Sequence, residues 1–424
     1  MASARDLEVR VNLKNSPKAI VDEAWQVVHR NYVDQSFNQV NWLKARETLL
    51  DQDYTTRQQA YAAIRKALQP LDDPYTRFMD PKQFKSLTRQ TSGELMGIGI
   101  MLLNDAATGQ PVILKVVSDS PAEKAGLKAG DAILKVGDRS TDKLAAAEVA
   151  KLLRGEAKSV VKIQLKRKKQ LMSVAIVRDL IQLQAVSYKI KKESSNRIGY
   201  IQVSEFSRHT SKQMQKAINE LTLAEVDAFV LDLRGNPGGL LDSSIEIAQM
   251  WINRGLIVRT VDRSGQPAKF YARRKALTDL PLAVLVNQSS ASSSEILTGA
   301  LKDNKRATVI GTKTFGKALV QAVHQLADGS GLAVTVAQYY TPNGTDISRT
   351  GITPDIQISM PTAQALRLKN NQRLRTSNVD QPYQQAVRVL NRQLRKSKQS
   401  YNFFRKPSGP IDFSVPDQQW GVQS

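Results

Sequence analysis

The sequence predicts a multidomain α+β protein in which a helical N-terminal region, a compact β-rich module and an α/β domain follow one another. Three observations predict this fold class. Apolar residues recur at helical spacing over residues 16–90, short β-like runs crowd residues 93–179, and long apolar runs followed by amphipathic segments begin near Ile198. The 424 residues suffice for several cores. The predicted parts are 1–92, 93–179, 180–360 and a basic C-terminal extension, 361–424.

Composition removes several classes of site. The chain has no cysteine, which excludes thiolate sites and cysteine nucleophiles. Its three histidines and the absence of an HExxH pattern argue against a histidine-rich metal centre, and we expect neither metal nor cofactor. The net charge of +22 suggests an anionic partner. Because the basic residues are scattered and lack interleaved aromatics, we expect no nucleic acid partner. A solvated basic surface is the simplest interpretation, and an anionic membrane or an acidic substrate surface is the alternative.

Hydropathy and the N-terminal residues bear on location. No run of about 18 apolar residues occurs, so no membrane-spanning helix is predicted. The first residues lack the apolar stretch of a secretory signal. Either the protein acts in the cytoplasm, or a targeting segment was removed.

The helical region is predicted from two apolar faces. Ile20, Ala24 and Val28 share one face, and Tyr61, Ile64 and Leu68 share another. Prolines in the segment LDDPYTRFMDP (71–81) then end the helical pattern.

The β-rich module combines five predicted strands with two short helices, at 121–125 and 145–153. The strands are expected at 98–103, 112–117, 132–136, 160–166 and 171–177. The run Gly97-Ile98-Gly99-Ile100 opens the module, and such glycines can present backbone amides to a carboxylate. A peptide terminus would then add as a strand between 98–103 and the second helix. A β-bulge is the alternative explanation of these glycines.

The α/β domain is predicted from continuous apolar runs at 226–233 and 282–286, typical of strands covered on both faces. Amphipathic helices are expected at 240–252 and 294–302. Asp328-Gly329 precedes an alternating run, Gly331–Tyr340, and predicts a hairpin.

A serine-rich turn in this domain is the first candidate for chemistry. Ser292 lies between a buried strand and a helix start, where free N–H groups would stabilise a tetrahedral oxyanion. The alternative is a capping box, because Ser292 and Glu295 match S-x-x-E.

Lys317 is the second candidate, because it stands in the apolar sequence TFGKALV (314–320), which is predicted to form a strand. Burial favours the neutral amine, and a lysine base near neutral pH needs its pKa lowered from about 10.4 to about 7–8, roughly 4 kcal/mol. Gln321 would share the face of Lys317 and orient its amine. A lysine pointing to the surface is the alternative, and Lys302 and Lys313 are rivals in more polar settings.

A third piece is the turn LDLRGNPGG (231–239), which joins a strand to a helix and exposes glycine amides. Such amides bind an anion or an oxyanion, and one such donor is worth about 3–4 kcal/mol in a transition state. A plain βα turn is the alternative.

Taken together and in order, these segments resemble the carboxyl-terminal processing (tail-specific) proteases, serine–lysine peptidases with a PDZ domain. The resemblance covers about residues 16–360. It rests on the segments LDDPYTRF (71–78), GIGI (97–100), SPAEKAGLKAGDAILKV (120–136), LDLRGNPGGLL (231–241), SASSSEILTGALKDNKRA (290–307), TFGKALVQ (314–321), YTPNGTDI (340–347) and GITPDI (351–356).

The resemblance implies a PDZ domain at 93–179, an α/β protease domain of the ClpP/crotonase-like type at 180–360, and roles for particular residues. Ser292 would be the nucleophile, Lys317 the general base and Gln321 its support. The amides of Gly238 and Ser293 would form the oxyanion hole, and Gly97, Ile98, Gly99 and Ile100 would hold a substrate tail. Ser293 and Ala318 stand where the family more often has alanine and glycine, so Ser290, Ser293 and Ser294 remain alternatives to Ser292.

The implied function is a serine endopeptidase that recognises protein C-terminal tails through its PDZ domain and cleaves near the C-terminus through an acyl-enzyme. Family members act outside the cytoplasm, in the periplasm, cell envelope or thylakoid lumen. Three alternatives are a PDZ scaffold with an inactive α/β domain, a nucleic-acid-binding protein and a Ser-His-Asp hydrolase. The last lacks a G-x-S-x-G motif, and neither His209 nor His324 has an evident acidic partner in sequence.

Overall fold

The computed structural model describes residues 16–371 and 374–404. Its helices begin where the sequence supplies capping side chains. Ser16, Asn41, Thr56 and Asp80 each accept a hydrogen bond from a first-turn amide of the helix that follows. These helices are α1 (Pro17–Asn31), α2 (Trp42–Asp51), α3 (Arg57–Leu68) and α4 (Pro81–Ser92).

The N-terminal helical region is not an independent unit. A short strand, β1 (Arg77–Met79), pairs antiparallel with β18 (Gly331–Tyr340) of the α/β domain. The apolar faces of α1 to α3 pack around Trp25 and Trp42, and Leu332 and Val334 of β18 belong to the same core. The segment 71–77 is thereby fixed against the α/β domain.

The predicted β-rich module is a small sheet with two helices. A ribbon of β2 (Glu94–Gly97) and β9 (Asp179–Gln182) connects it to the rest of the chain. Its sheet has the order β3-β4-β5-β7-β8, with β6 paired to β5. The elements are β3 (Ile100–Asn104), β4 (Pro111–Val116), α5 (Pro121–Lys124), β5 (Ala132–Val136), β6 (Arg139–Ser140), α6 (Ala146–Leu153), β7 (Val160–Arg167) and β8 (Gln170–Val177). The five predicted strands and both helices are confirmed within a few residues.

The α/β domain is built on a mostly parallel sheet. Its strand order is β10-β11-β12-β15-β16-β19, with β10 antiparallel to β11. The strands are β10 (Val186–Glu193), β11 (Asn196–Val203), β12 (Ala228–Asp232), β15 (Leu282–Val286), β16 (Thr308–Gly311) and β19 (Ile356–Gln357). Every residue of β12 and β15 is buried, as their continuous apolar sequences predict.

Helices cover both faces of this sheet. Alternate residues of β12 point to opposite faces: Phe229 and Leu231 pack with three helices, and Ala228 and Val230 pack with a fourth. The three are α7 (Thr210–Leu223), α8 (Leu241–Trp251) and α9 (Ser293–Asp303). The fourth is α11 (Gln381–Phe404), which follows α10 (Thr362–Asn370).

Part of the predicted C-terminal extension is therefore a layer of the α/β domain. Tyr383, Ala386, Val387 and Leu390 of α11 are buried against the sheet at helical spacing. Residues 405–424, including Trp420 and the last basic positions of the predicted extension, lie outside the described residues. The extension begins as a packed part of the core.

A second, antiparallel sheet lies beside the first. Its order is β1-β18-β13-β14, and β17 (Leu319–Gln325) pairs with β18. The remaining strands are β13 (Gly255–Asp262) and β14 (Pro267–Ala272). The predicted hairpin at Asp328-Gly329 joins β17 to β18. The expectation that Lys317 lies within a strand is wrong, because β17 begins at Leu319 and Lys317 belongs to the preceding loop.

Candidate active site

Two turns meet at the carboxyl edge of the parallel sheet. The first follows β12 (residues 233–240) and the second follows β15 (residues 287–292). Neighbouring parallel strands bring such turns together. The Ala291 amide donates to the Asn236 carbonyl at 3.0 Å, and the Ser290 hydroxyl donates to the Leu233 carbonyl at 2.8 Å. The two turns form one hydrogen-bonded unit.

Hydrogen bonding distinguishes Ser292 from the other serines of its turn. The hydroxyls of Ser290, Ser293 and Ser294 each donate to a backbone carbonyl of the first turn, at 2.8–2.9 Å. The Ser292 hydroxyl makes no capping bond and has no partner among the described residues. Ser292 also has a φ of +53°, a left-handed value that non-glycine residues seldom adopt.

Lys317 lines the same cleft as Ser292. It is half-buried, and its Nζ atom is 4.5 Å from the centroid of the Tyr75 ring. Burial lowers the pKa of Lys317, the guanidinium of Arg77 lowers it further, and Asp73 and Glu295 oppose the shift. Among the contacts of the described residues, no direct hydrogen bond joins Lys317 Nζ to Ser292 Oγ. In this conformation the cation rests on the aromatic ring instead.

The rival lysines occupy other environments. Lys302 forms an ion pair with Asp355, and Lys313 is exposed. Neither lines the cleft that contains Ser292.

Glu295 holds the two candidate residues together through their backbones. Its buried carboxylate accepts hydrogen bonds from the amides of Ser292 (2.9 Å) and Lys317 (2.9 Å). It also accepts from the Gly316 amide at 2.7 Å and the Thr314 hydroxyl at 2.6 Å. Burial raises the pKa of Glu295 although these four donors oppose the shift. The S-x-x-E pattern therefore caps α9 and also joins the serine and lysine segments.

Tyr339 makes the complementary bridge. Its hydroxyl contacts the carbonyl oxygens of Ser292, at 3.1 Å, and Lys317, at 2.5 Å. The side chain is 1% exposed, and burial, with the nearby Glu295 charge, raises the pKa of its hydroxyl well above its ordinary value. Amide and carbonyl groups of both candidate residues are thus tied to the same two buried side chains. We call Glu295 and Tyr339 the backbone clamp.

The amide of Gly238, which was predicted to donate to an oxyanion, has a hydrogen-bond partner within its own turn, and its predicted role stays a prediction. The Gly238 amide donates to Asn236 Oδ1 at 2.9 Å, and the buried Asn236 is itself fixed by donating to the Val203 carbonyl at 3.1 Å. The Gly238 carbonyl accepts from the Phe206 amide, so the Gly239 amide of the same trans peptide points away from Phe206. Neither the Gly239 nor the Ser293 amide has a partner among the described residues, and both residues line the cleft.

A buried ionic network lies behind this turn. Arg234 forms paired hydrogen bonds with Asp232 (2.9 and 2.7 Å) and with Asp380 from the segment before α11 (2.7 and 2.9 Å). Tyr200 donates to Asp232 at 2.6 Å. Burial opposes ionisation of Asp232, but Arg234 outweighs it and the pKa of Asp232 is lowered. Breaking such a buried pair typically costs about 3–5 kcal/mol.

Gln321 lies in the cleft but contacts a different partner from the predicted one. A bulge separates Val320 from Gln321 in β17. The side-chain amide nitrogen of Gln321, Nε2, lies 3.4 Å from Thr335 Oγ1. Thr335 in turn donates to Asp73 at 2.6 Å. The predicted support of Lys317 by Gln321 stays a prediction.

The cleft itself has a volume of about 400 Å³. Its walls are mainly apolar, and Arg77 and Lys317 are the two cations in its lining, which contains no aspartate or glutamate. Ser292, Ser293, Gly239, Gln321 and Tyr339 line the same space. Within residues 16–371 and 374–404, no group of three histidine, aspartate or glutamate side chains is placed to hold a metal ion.

The histidines are placed elsewhere. The expectation that His209 lacks an acidic partner is wrong, since its Nε2 lies 2.9 Å from Glu94 Oε1. Glu94 belongs to the ribbon that leads to the β-rich module, and His209 does not line the cleft. Burial lowers the pKa of His324.

Sequence patterns missed four contributors to this site. Tyr75 and Arg77 come from the N-terminal region, Tyr339 from β18, and Asp380 from the C-terminal segment. Tyr75 and Arg77 belong to the segment LDDPYTRF, which supported the resemblance, but nothing in that segment indicates contact with the two turns. Glu295 was visible only as a helix cap.

These features define a serine-type peptidase with an α/β catalytic domain and a PDZ domain. Residues 197–358 match peptidase family S41, and residues 112–167 match the PDZ domain. The chain is 43% identical to the "Carboxyl-terminal-processing protease" of Picosynechococcus sp., with 78% of this chain and 81% of the relative covered. It is 40% identical to "Carboxyl-terminal-processing peptidase 2, chloroplastic" of Arabidopsis thaliana, covering 78% and 67%.

A solved structure agrees with these relatives. "Photosystem II D1 C-terminal processing protease" superposes with a TM-score of 0.51 at 38% identity, covering 82% of this chain and 95% of that one. The chain belongs to peptidase family S41 and, within it, to the carboxyl-terminal-processing proteases. No helix among the described residues is both long and apolar enough to cross a membrane.

Proposed function

We propose that this peptidase cleaves protein substrates near their C-termini through a Ser292–Lys317 dyad, after the PDZ domain has bound the substrate tail. One observation carries the dyad: a hydroxyl without a partner, at a strained backbone position, shares an acid-free cleft with a half-buried lysine. The backbone clamp holds both residues to the same two side chains.

The reaction begins when neutral Lys317 accepts the Ser292 proton and Oγ attacks the scissile carbonyl carbon. This requires the amine to leave the Tyr75 ring and turn toward Ser292. The amides of Gly239 and Ser293 then donate to the oxyanion, because the Gly238 amide is already occupied by Asn236. As the carbon–nitrogen bond breaks, the Lys317 ammonium protonates the leaving amine. Water, deprotonated by Lys317, then hydrolyses the acyl-enzyme.

Tail recognition by the PDZ domain is supported by free backbone groups. The amides of Ile98 and Gly99 have no partner among the described residues, and Gly99 has a φ of +86° with Ser120 packed against it. Strand β3, which begins at Ile100, pairs only with β4 among the described strands, so its other edge is open beside α6. A peptide strand can add there with its carboxylate at the loop 97–100.

A serine-reactive fluorophosphonate tests the dyad. We expect labelling of the wild type and of Ser289→Ala, whose serine is exposed in the same turn, and loss of labelling in Ser292→Ala. Labelling that survives in Ser292→Ala would reject Ser292 as the nucleophile.

A peptide assay tests tail recognition by the PDZ domain. We expect peptides with free apolar C-termini to be cleaved faster than the same peptides with amidated C-termini. Removal of residues 93–179 should abolish that difference.

The names of the relatives support a place of action. Because related proteins include a chloroplastic and a cyanobacterial processing protease, we extend the proposal to a location outside the cytoplasm, such as the thylakoid lumen. Protease protection of the protein in isolated, sealed thylakoids tests this. Digestion of the protein in intact vesicles would contradict a lumenal position.

A further inference from the structure

Arg77 is a cation in the active-site cleft that the proposed chemistry does not use. Its side chain is exposed, lines the cleft with Ser292 and Lys317, and has no ion pair or hydrogen bond among the described residues. Two acids whose charge acts on Lys317, the other cation of the cleft, are engaged by other donors.

Those acids are Asp73 and Glu295. Asp73 accepts hydrogen bonds from the Tyr75 amide, the Thr76 hydroxyl and the Thr335 hydroxyl, at 2.6–2.9 Å. The Glu295 carboxylate already accepts the four hydrogen bonds described above. Arg77 also borders a second pocket that Asp72 and Asp73 line, but within residues 16–371 and 374–404 no ion pair joins its guanidinium to either acid.

Strand pairing places Arg77 on the same sheet face as two other residues of the cleft lining, Val323 and Gln321. Arg77 of β1 and Val323 of β17 both lie opposite Ala333 of β18, and all three line the cleft. Directly opposed residues share one face of a sheet. Gln321 and Thr335 form the next row on that face. Rows two residues apart are separated by about 7 Å, which an extended peptide covers with two residues.

We propose that Arg77 binds a carboxylate of the substrate close to the scissile bond, and selects acidic over neutral residues at that position. The proposal rests on the proposed peptidase function of this cleft and specifies its substrates. A guanidinium binds a carboxylate through paired, charge-assisted hydrogen bonds. The apolar remainder of the lining would accept aliphatic neighbours of that residue. The source of the carboxylate is an Asp or Glu side chain, or the terminal carboxylate of a short tail.

Carboxylate binding at Arg77 would also affect catalysis. Arg77 lowers the pKa of Lys317, while Asp73 and Glu295 raise it. A substrate carboxylate that neutralises Arg77 would remove part of the lowering and make Lys317 a stronger base in the complex. Acidic peptides should therefore show a higher apparent pKa in the kcat profile than their neutral counterparts.

The test uses the full-length protein and one cleavable apolar peptide, with Asp or Asn placed in turn at each of the four positions on either side of the scissile bond. Each peptide is made with a free or an amidated C-terminus. Assays are run at pH values where the rate no longer rises, so that changes in Lys317 ionisation do not intrude. We expect one position at which Asp exceeds Asn by about five- to tenfold in kcat/KM, mainly through KM.

Variants assign that preference to Arg77. Arg77→Gln should reduce the Asp/Asn ratio to about one, Arg77→Lys should retain part of it, and Arg77→Glu should favour a Lys-containing peptide. Arg197→Gln, which removes an exposed strand arginine outside the cleft, should leave it unchanged. If the free-acid preference of a short tail disappears in Arg77→Gln while Asp and Asn stay equal, the terminal carboxylate is the source. A free-acid preference that persists belongs to the PDZ domain.

Two outcomes would overturn the inference. In the first, the wild type cleaves Asp and Asn peptides equally at every position, with equal rates for free and amidated short tails. In the second, Arg77→Gln shifts the pH profile of all peptides alike and leaves the substrate ratios intact. Both presuppose cleavage that requires Ser292, so they differ from failure of the proposed function, in which no peptide is cleaved or Ser292→Ala cleaves as well as the wild type.

Discussion

The serine half of the site and the lysine half are held in different ways. Ser292 lies in one of two turns at the edge of a buried parallel sheet. Serine hydroxyls link these turns, and the buried ionic network of Arg234 lies behind them. Lys317 lies in a loop before an antiparallel strand, against Tyr75 and Arg77 from the N-terminal region. The serine half depends on interior hydrogen bonds, whereas the lysine half depends on half-buried contacts between distant parts of the chain. Changes in the first should affect kcat and folding together, and changes in the second should mainly affect the ionisation of Lys317.

The largest effect is expected from removing either reacting group. Ser292→Ala and Lys317→Met should each lower kcat by about 10⁴-fold or more, because each abolishes proton transfer or acyl-enzyme formation. The melting temperature should respond differently. Lys317→Met removes a desolvated amine and should stabilise the protein at neutral pH, and the gain should shrink as pH rises toward 10.5 because the neutral amine then predominates. Single-turnover kinetics and thermal scans at several pH values measure both, and full turnover by either variant would contradict the dyad.

Glu295→Gln should break the link between the halves. Loss of the carboxylate weakens four hydrogen bonds at once, and we expect kcat to fall by about 100-fold and the free energy of unfolding by about 2–3 kcal/mol. Glu246→Gln, on an exposed position of α8, is the matched control and should be neutral. Denaturant unfolding and kcat are the measurements. A variant with normal kcat would show that the bridge is dispensable.

Asp380→Asn tests the serine half alone. It weakens the buried pair with Arg234 and should lower the free energy of unfolding by about 3 kcal/mol. Because Arg234 belongs to the turn after β12, we also expect a lower kcat with little change in KM. Asp242→Asn, exposed at the start of α8, provides the control. An unchanged unfolding midpoint in guanidinium chloride would argue against this account.

Tyr339→Phe should have a smaller effect. The variant keeps the buried ring and loses only the hydroxyl that contacts the Ser292 and Lys317 carbonyls. We expect about a tenfold fall in kcat at nearly unchanged KM, with a stability loss of about 1 kcal/mol. Tyr340→Phe, at the neighbouring position of β18, should match the wild type. A loss of stability without any loss of kcat would assign Tyr339 a packing role only.

The smallest effect, and the one specific to the lysine half, is a shift of the pH profile. The rate should rise with pH as Lys317 loses its proton, since the neutral amine is the base. Because Arg77 lowers the pKa of Lys317 and Asp73 raises it, Arg77→Gln should move the rising limb to higher pH and Asp73→Asn to lower pH. Profiles of kcat/KM on a neutral peptide measure the shifts. Movement in the same direction for both variants would exclude this electrostatic explanation.

Local patterns predicted much of the molecule. Strands β12 and β15 could be predicted because burial on both faces requires continuous apolar runs. The strands of the PDZ domain and the hairpin that leads into β18 could be predicted from alternating residues and turn residues. The strand assignment of Lys317 failed because Gly316, with a φ of +91° and close approach to Gly351, holds the segment in a turn that hydropathy does not encode. Ser292 was proposed from its motif, but four neighbouring serines left the choice open.

The sequence by itself determined the order of domains, the family and the short list of reacting residues, since these depend on motifs and on hydrophobic periodicity. Only the tertiary structure decided which serine hydroxyl and which glycine amide lack a hydrogen-bond partner among the described residues. It alone also placed Tyr75, Arg77 and Asp380 near the site. Those properties depend on the hydrogen bonds and charges that meet when segments up to hundreds of residues apart are packed together. No local pattern records such contacts, because the residues that make them are far apart in the sequence.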